Sequence, residues 1–228
     1  RARRQPAESL DAYDLYLRAL PLFYDPGTTG HPEAIDLLRR SAELDPKFAL
    51  PLAYSAWIYE RRISMREPPL GNNDAATSVE LARKSLALGG DDPLVCAISC
   101  WVLYRIANDH VALEGLRAAA EQNPNSAMIL ILAAAGVGLH GDSGQDLKFC
   151  LRAYELSAGA PDEYLITQGS GGAELVLGNN ESAIKWCLKS LATFNDYLFT
   201  YITLVAVYAN LDRMDDGRTM LKRVREVS

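Results

Sequence analysis

Cysteine is scarce in this chain of 228 residues, which contains only four. Small secreted proteins that depend on disulfides carry a much higher share, and each of these four lies inside an apolar helical pattern. They are Cys96, Cys100, Cys150 and Cys187. We therefore expect reduced thiols in a packed core, which favours a cytoplasmic location.

Long hydrophobic runs are also missing. The longest apolar stretch extends from Ala127 to Leu139, which is only 13 residues and includes two glycines. A transmembrane helix needs about 20 predominantly apolar residues. The sequence therefore predicts no membrane-spanning segment and no membrane partner.

Positive charge is in the minority, because 23 lysines and arginines face 29 acidic residues and leave a net charge of −6. Phosphate binding needs a clustered basic face, so we expect no nucleic-acid partner. Residues 1–8 contain Arg1, Arg3 and Arg4, too few charges to hold a membrane surface, and are expected to form a solvated linker. The chain opens without a methionine, from which we expect a fragment of a longer protein.

The sequence repeats itself with a period near 34 residues. Segments similar to residues 34–46 begin near 34, 78, 112, 146, 183 and 217, with separations of 44, 34, 34, 37 and 34. Each copy has apolar residues at positions i, i+3, i+4 and i+7, which is typical of an amphipathic helix. The spacing predicts about six repeated units.

A second helical stretch precedes each copy. These first helices are predicted at residues 9–24, 47–62, 93–107, 126–140, 162–178 and 196–211. Proline stops or restarts the helices at Pro46, Pro93, Pro124 and Pro161. Gly141, Gly178 and Asp212 are expected to end helices in a left-handed conformation. Residues 9–228 are thus predicted to form one array of helix pairs after the linker.

The repeated unit resembles the tetratricopeptide repeat (TPR). Small residues fall in the middle of the first helices, alanines open several second helices, and Asp-Pro or Asn-Pro closes some of them. The small residues are Ala56, Cys100, Ala134 and Gly171, and the alanines are Ala34, Ala112 and Ala183. The resemblance implies an all-α fold, a right-handed superhelical solenoid of about six TPR-like helix-turn-helix repeats. About ten extra residues around 65–73 depart from the pattern.

A narrower resemblance rests on residues 1–24, especially 9–19, together with Leu44-Asp45-Pro46 and Ala56-Trp57. This combination is similar to the C-terminal repeat region of bacterial class III adenylate or guanylate cyclases. It implies a module of a larger signalling protein whose catalytic domain lies elsewhere. We therefore expect no enzyme activity in this chain.

The first helices of such an array line its concave surface, so a partner is expected there. Nine residues are predicted to bind it: Trp57, Glu60, Arg61, Trp101, Tyr104, Arg105, Gln168, Phe199 and Asn210. An aromatic groove with arginines suits an amphipathic helix or extended peptide that carries an acidic residue. Alternatively, Trp57 and Trp101 pack between helices, while Arg61 and Arg105 only complement the helix dipoles.

Groups for catalysis or metal binding do not converge in the pattern. His31, His110 and His140 fall at turns of different repeats, and Cys96 and Cys100 lack the further ligands of a zinc site. We expect no catalytic residue, metal or cofactor. The glycine-rich run at 169–172 lies inside a first helix and not between a strand and a helix. It therefore predicts a close helix crossing or a flexible point in the superhelix, and not a phosphate-binding loop.

The predicted function is a non-catalytic protein-protein interaction scaffold or regulatory module. Its candidate partners are a protein or peptide segment, the parent chain's own effector domain, and a second copy of the chain as a homodimer. The apolar residues Met220, Leu221, Val224 and Val227 on the last helix suggest the homodimer. The alternative is a small-molecule sensor that regulates an attached cyclase or transcription-factor domain.

Overall fold

The computed structural model describes residues 9–24, 29–138, 143–157 and 163–227. Twelve α-helices and no strand occur among these residues, which confirms the all-α prediction. The helices are α1 Leu10–Tyr24, α2 His31–Leu44, α3 Ala49–Ser64, α4 Asp74–Gly89, α5 Pro93–Ala107, α6 Ala112–Gln122, α7 Ala127–Gly138, α8 Ser143–Ser157, α9 Glu163–Val176, α10 Asn180–Thr193, α11 Leu198–Asn210 and α12 Met214–Val227.

The helices follow the predicted alternation of first and second helices. Pro93 opens α5 as expected, and the second helices begin at or within about one turn before the residues where the repeat was recognised. The shift arises because the first turn of a second helix lies outside the repeated apolar pattern. The predicted linker 1–8, the turn at Gly141 and the break at Pro161 lie outside the described residues.

The chain divides into two compact units, Arg1–Pro124 and Asn125–Ser228. Within the first unit, α1 contacts α3 and α3 contacts α5, whereas no contact joins α2 to α4 or α4 to α6 in the described part. The second unit repeats this arrangement with α7, α9 and α11. The first helices therefore lie closer together than the second helices and line the inner side of each unit.

The helix ends have identifiable physical causes. Asp92 caps α5 by accepting a hydrogen bond from the backbone nitrogen of Leu94 at 2.8 Å, directly before the proline at the first helical position. Gly178 (φ 82°) and Asp212 (φ 55°) adopt the left-handed conformation that the sequence predicted for them. These local signals fix where the turns fall.

The extra residues of the second repeat form an ordered connection between α3 and α4. The buried guanidinium of Arg62 donates to the carbonyl oxygen of Pro68 at 2.8 Å. The carboxylate of Asp74 accepts hydrogen bonds from the backbone nitrogens of Leu70 and Gly71, each at 2.8 Å. Side chains from both flanking helices thus form hydrogen bonds with backbone groups of the insertion.

Glycine permits close crossings where α9 packs against its neighbours. A Cβ atom added at Gly171 would lie 2.6 Å from the Sγ atom of Cys187 on α10, and one at Gly169 would lie 3.1 Å from the Sγ atom of Cys150 on α8. The nearest atom to a Cβ added at Gly172 is 3.9 Å away. The predicted close helix crossing is therefore confirmed at Gly169 and Gly171.

His31 opens α2 and is fully buried. Its ring stacks on Phe23, with the ring centroids 6.4 Å apart. Burial, helped by the nearby positive charges of Arg61 and Arg62, lowers the pKa of His31 from 6.5 to about 4. The first unit therefore contains a histidine that stays neutral near pH 7.

We expect Gly171→Ala to lower the free energy of unfolding by about 1–3 kcal/mol, because the new methyl group overlaps the buried sulfur of Cys187. Gly172→Ala serves as the matched control. It is expected to raise the same free energy by about 0.5–1 kcal/mol, because the position is open and alanine favours a helix. Urea unfolding of the two variants measures the difference, and equal effects would contradict the close crossing.

We expect His31 to make the chain less stable in acid. The depressed pKa means that its contribution is fully present above pH 6.5 and is lost as the pH falls toward about 4. The loss should reach about 3 kcal/mol over this range. Urea unfolding of the wild type and His31→Leu at several pH values isolates the effect. A stability difference between the two proteins that does not change with pH would refute it.

Candidate protein-binding surface

Trp57 and Arg61 of α3 both contact Phe23 of α1. Trp57 is only 6% exposed, and its ring centroid lies 4.7 Å from that of Phe23. The guanidinium of Arg61 lies 5.6 Å from the Phe23 ring centroid and donates to the Phe23 carbonyl oxygen at 3.2 Å. Trp57 therefore packs between helices, as the alternative interpretation of the sequence had it. It does not lie in an open groove where a partner could reach it.

Glu60 is the centre of a polar network between α3 and α5. Its side chain is buried and accepts hydrogen bonds from the hydroxyl of Ser64 at 2.7 Å and from the indole nitrogen of Trp101 at 3.2 Å. The Nε atom of Arg105 lies 3.5 Å from the same carboxylate. Burial raises the pKa of Glu60, and these three partners oppose the rise. Glu60 therefore holds Trp101 and Arg105 in place from beneath and does not itself face a partner.

Trp101, Tyr104 and Arg105 form the accessible part of this surface on α5. Trp101 and Tyr104 are half-buried, and the side chain of Arg105 is 33% exposed. The guanidinium of Arg105 lies 5.5 Å from the Trp101 ring centroid, a cation-π contact. Tyr104 meets the ring of His110 edge to face at 5.8 Å. The result is an aromatic surface beside one partly exposed arginine.

The remaining predicted residues lie in the second unit. Half-buried Gln168 on α9 donates to the hydroxyl of Thr203 on α11 at 3.4 Å, and Thr203 donates to the carbonyl oxygen of Phe199 at 3.0 Å. Asn210 is exposed and donates to the side chain of Asn180 on α10 at 3.4 Å. Gln168 thus links α9 to α11 through Thr203, whose bond to Phe199 stays within α11, whereas Asn210 pairs with the start of a second helix.

An aromatic cluster on α1 and α3 was missed by the sequence interpretation. Phe23 and Tyr54 meet edge to face at 5.2 Å, and Tyr16 meets Tyr54 at 5.7 Å. The hydroxyl of Tyr24 lies 3.3 Å from that of Tyr54. The sequence could have indicated this cluster, because Tyr16 and Phe23 are seven residues apart and therefore lie on one helix face.

Metal-binding side chains do not gather in the described residues. No set of three or more histidine, cysteine or acidic side chains there could hold a metal ion. Asp146 is buried at the start of α8, where burial raises its pKa to about 7, and the thiol of Cys150 donates to it at 3.4 Å.

None of the described helices is long and apolar enough to cross a membrane.

Comparison with solved structures shows the fold of tetratricopeptide-repeat proteins. Cut9, solved in the APC/C hetero-tetramer with Hcn1, is 14% identical and superposes with a TM-score of 0.70 over 96% of this chain and 43% of its own. Human IFIT1, solved as a dimer with PPP-AAAA, is 14% identical with a TM-score of 0.71 over 93% of this chain and 49% of its own. PilW, a type IV pilus biogenesis factor, is 12% identical with a TM-score of 0.63 over 96% and 94% of the two chains.

These likenesses establish an all-α helical repeat solenoid of the tetratricopeptide type. The chain spans less than half the length of Cut9 and of human IFIT1. No protein-family model and no curated protein sequence matches the chain. At such low identity the structural likeness concerns the fold alone.

We expect Glu60→Ala to lower the free energy of unfolding by about 1–3 kcal/mol, because Trp101 and Arg105 lose their shared acceptor. Glu43→Ala is the matched control, since Glu43 also pairs with an arginine, Arg39, but on an exposed helix face. That change should stay within about 0.5 kcal/mol. Urea unfolding compares the two variants, and a Glu60→Ala effect no larger than the control would contradict the central role of Glu60.

Proposed function

We propose that this chain is a non-catalytic protein-interaction scaffold. In this proposal a peptide or partner domain binds the inner side of the first unit, on Trp101, Tyr104 and Arg105. The observation that carries the proposal is the network around Glu60, which joins α3 to α5 beneath Trp101 and Arg105. Trp57 and Glu60 then support the surface from beneath, and the partly exposed side chains of α5 make the direct contacts.

The fixed geometry of Trp101 favours binding. Its indole edge is held by the Glu60 carboxylate, and Arg105 stacks near its ring. A side chain that is already ordered loses less conformational entropy when a partner arrives. Tryptophan, tyrosine and arginine also contribute most often to the binding energy of protein interfaces.

The charge of Arg105 is largely balanced. The Glu60 carboxylate lies 3.5 Å from the Nε atom of Arg105. Arg105 therefore attracts an acidic group less strongly than an unpaired cation would. We propose a ligand that binds chiefly through apolar residues, with an acidic residue as a minor contact to the exposed edge of Arg105.

We also propose a role for the second unit and for the chain as a whole. Gln168 and Phe199 offer a separate surface on α9 and α11, and Asn210 lies at the end of α11. The resemblance of residues 1–24 to cyclase C-terminal regions supports a regulatory module within a larger signalling protein. The four free cysteines support a cytoplasmic location, and the net charge of −6 supports protein partners, including a second copy, over nucleic acid.

A displayed library of random peptides, selected on the wild-type chain, tests the proposed surface. We expect Trp101→Ala with Tyr104→Ala to weaken binding of the selected peptides by roughly 30-fold or more, because truncation of an aromatic anchor at the centre of an interface costs about 2 kcal/mol. Trp186→Ala with Tyr154→Ala is the matched control, since this half-buried pair lies on the second helices α8 and α10. Circular dichroism verifies that each variant keeps its helices.

Equal binding by the α5 variant and the wild type would exclude this surface. If no peptide is selected but metabolites raise the melting temperature, the small-molecule sensor is supported and the scaffold is rejected. Nucleotide cyclisation by the isolated chain would overturn its assignment as non-catalytic.

A further inference from the structure

Cys96 and Cys100 lie one turn apart on α5 and form a close pair of thiols. Their Sγ atoms are 3.9 Å apart. Cys96 is half-buried and Cys100 is buried, and both are free thiols. The pair faces Gly115 on α6, whereas Trp101 on the same helix donates to Glu60 on α3.

A glycine on the facing helix makes room for the pair. A Cβ atom added at Gly115 on α6 would lie 2.4 Å from the Sγ atom of Cys100 and 3.6 Å from that of Cys96. The thiol of Cys96 also lies 3.6 Å from the Gly115 carbonyl oxygen. Any side chain at position 115 would therefore displace the sulfurs from their present positions.

The separation of the sulfurs allows both of them to bind one shared atom. Two thiolates at about 2.3 Å from a single centre are 3.9 Å apart when the bond angle is about 116°. Thiolates select soft ions such as monovalent copper. The described residues offer no third cysteine, histidine or acidic ligand that would complete a four-coordinate zinc site here.

The other two cysteines have a different environment. Cys150 and Cys187 are isolated and buried, and burial raises the pKa of each thiol, that of Cys187 to about 12. A hydrogen bond with the neighbouring thiol of Cys100 lowers the pKa of Cys96 and raises that of Cys100. Among the four cysteines, Cys96 alone is half-buried, so it is the one that solvent reaches.

We propose that Cys96 and Cys100 form a dithiol site for a thiophilic centre that accepts two sulfurs, either monovalent copper or a trivalent arsenical. With phenylarsine oxide, two As–S bonds form and the As–O double bond breaks. Both thiol protons leave with the oxygen as water, and the arsenic keeps its oxidation state. With monovalent copper, two S–Cu bonds form, the bonds from copper to the chelator that supplies it break, and both thiol protons pass to solvent.

Phenylarsine oxide added to the reduced full chain tests the site, with intact mass spectrometry under native conditions as the measurement. We expect one phenylarsenic group per chain, retained during a wash with a monothiol and released by a dithiol. Cys96→Ser or Cys100→Ser should reduce retention roughly 100-fold, because the second bond is intramolecular only when both thiols are present. The matched control, Cys150→Ser with Cys187→Ser, should retain the group like the wild type.

Monovalent copper, supplied in competition with a chromophoric copper chelator, forms the second arm of the experiment. Binding in one arm alone supports the site and identifies its ligand class, provided that this binding requires both cysteines. Absence of binding in both arms by the wild type would overturn the proposal. Full retention by Cys96→Ser would overturn it too, and because Cys96 is half-buried this variant is expected to fold, as circular dichroism will verify.

Discussion

The close approach of paired helices is the constraint on which the rest of this structure depends. Small residues stand at the crossings, and Ala34, Ala183 and Gly171 are all buried. Where glycine faces cysteine, as Gly171 faces Cys187, even one added carbon atom would meet the sulfur at 2.6 Å. Because a well-packed interior tolerates little added volume, these positions limit how far apart the paired helices can lie.

Buried polar groups that form hydrogen bonds between neighbouring helices also determine how the helices pack. Ser41, Ser85 and Ser190 occupy the same position in three repeats, and each is buried with its hydroxyl hydrogen-bonded. Ser41 donates to the carbonyl oxygen of Ala12 and Ser190 to that of Tyr164, both on the preceding first helix. A buried hydroxyl without a partner is costly, so these bonds favour one arrangement of the helices. The carboxylate of Glu60 likewise favours one arrangement of α3 and α5, because it bonds Trp101 and Arg105 across the two helices.

The surface on α5 is a consequence of that packing. Trp101 and Arg105 keep their positions because Glu60 of the neighbouring first helix lies beneath them, and α3 and α5 are in contact along the inner side. The thiol pair on the same helix faces α6 and depends on Gly115 there. One helix thus contacts two neighbours, with Trp101 directed at α3 and the thiol pair at α6.

Local and repeated signals in the sequence determined the helix pairs. The period near 34 residues, the proline that opens α5 and the left-handed positions Gly178 and Asp212 depend on short-range backbone chemistry, so they could be predicted. The glycine run at 169–172 likewise indicated a close crossing, because glycine inside a helix needs a packing reason.

Only the tertiary structure decided which predicted site residues are accessible. Trp57 and Trp101 hold equivalent places in consecutive repeats, yet Trp57 is 6% exposed and Trp101 is half-buried. The difference comes from the neighbouring helix, which covers Trp57 with Phe23 of α1 but holds only the edge of Trp101 through Glu60. A repeat pattern assigns the same environment to equivalent residues, whereas burial depends on contacts with residues far away in the chain.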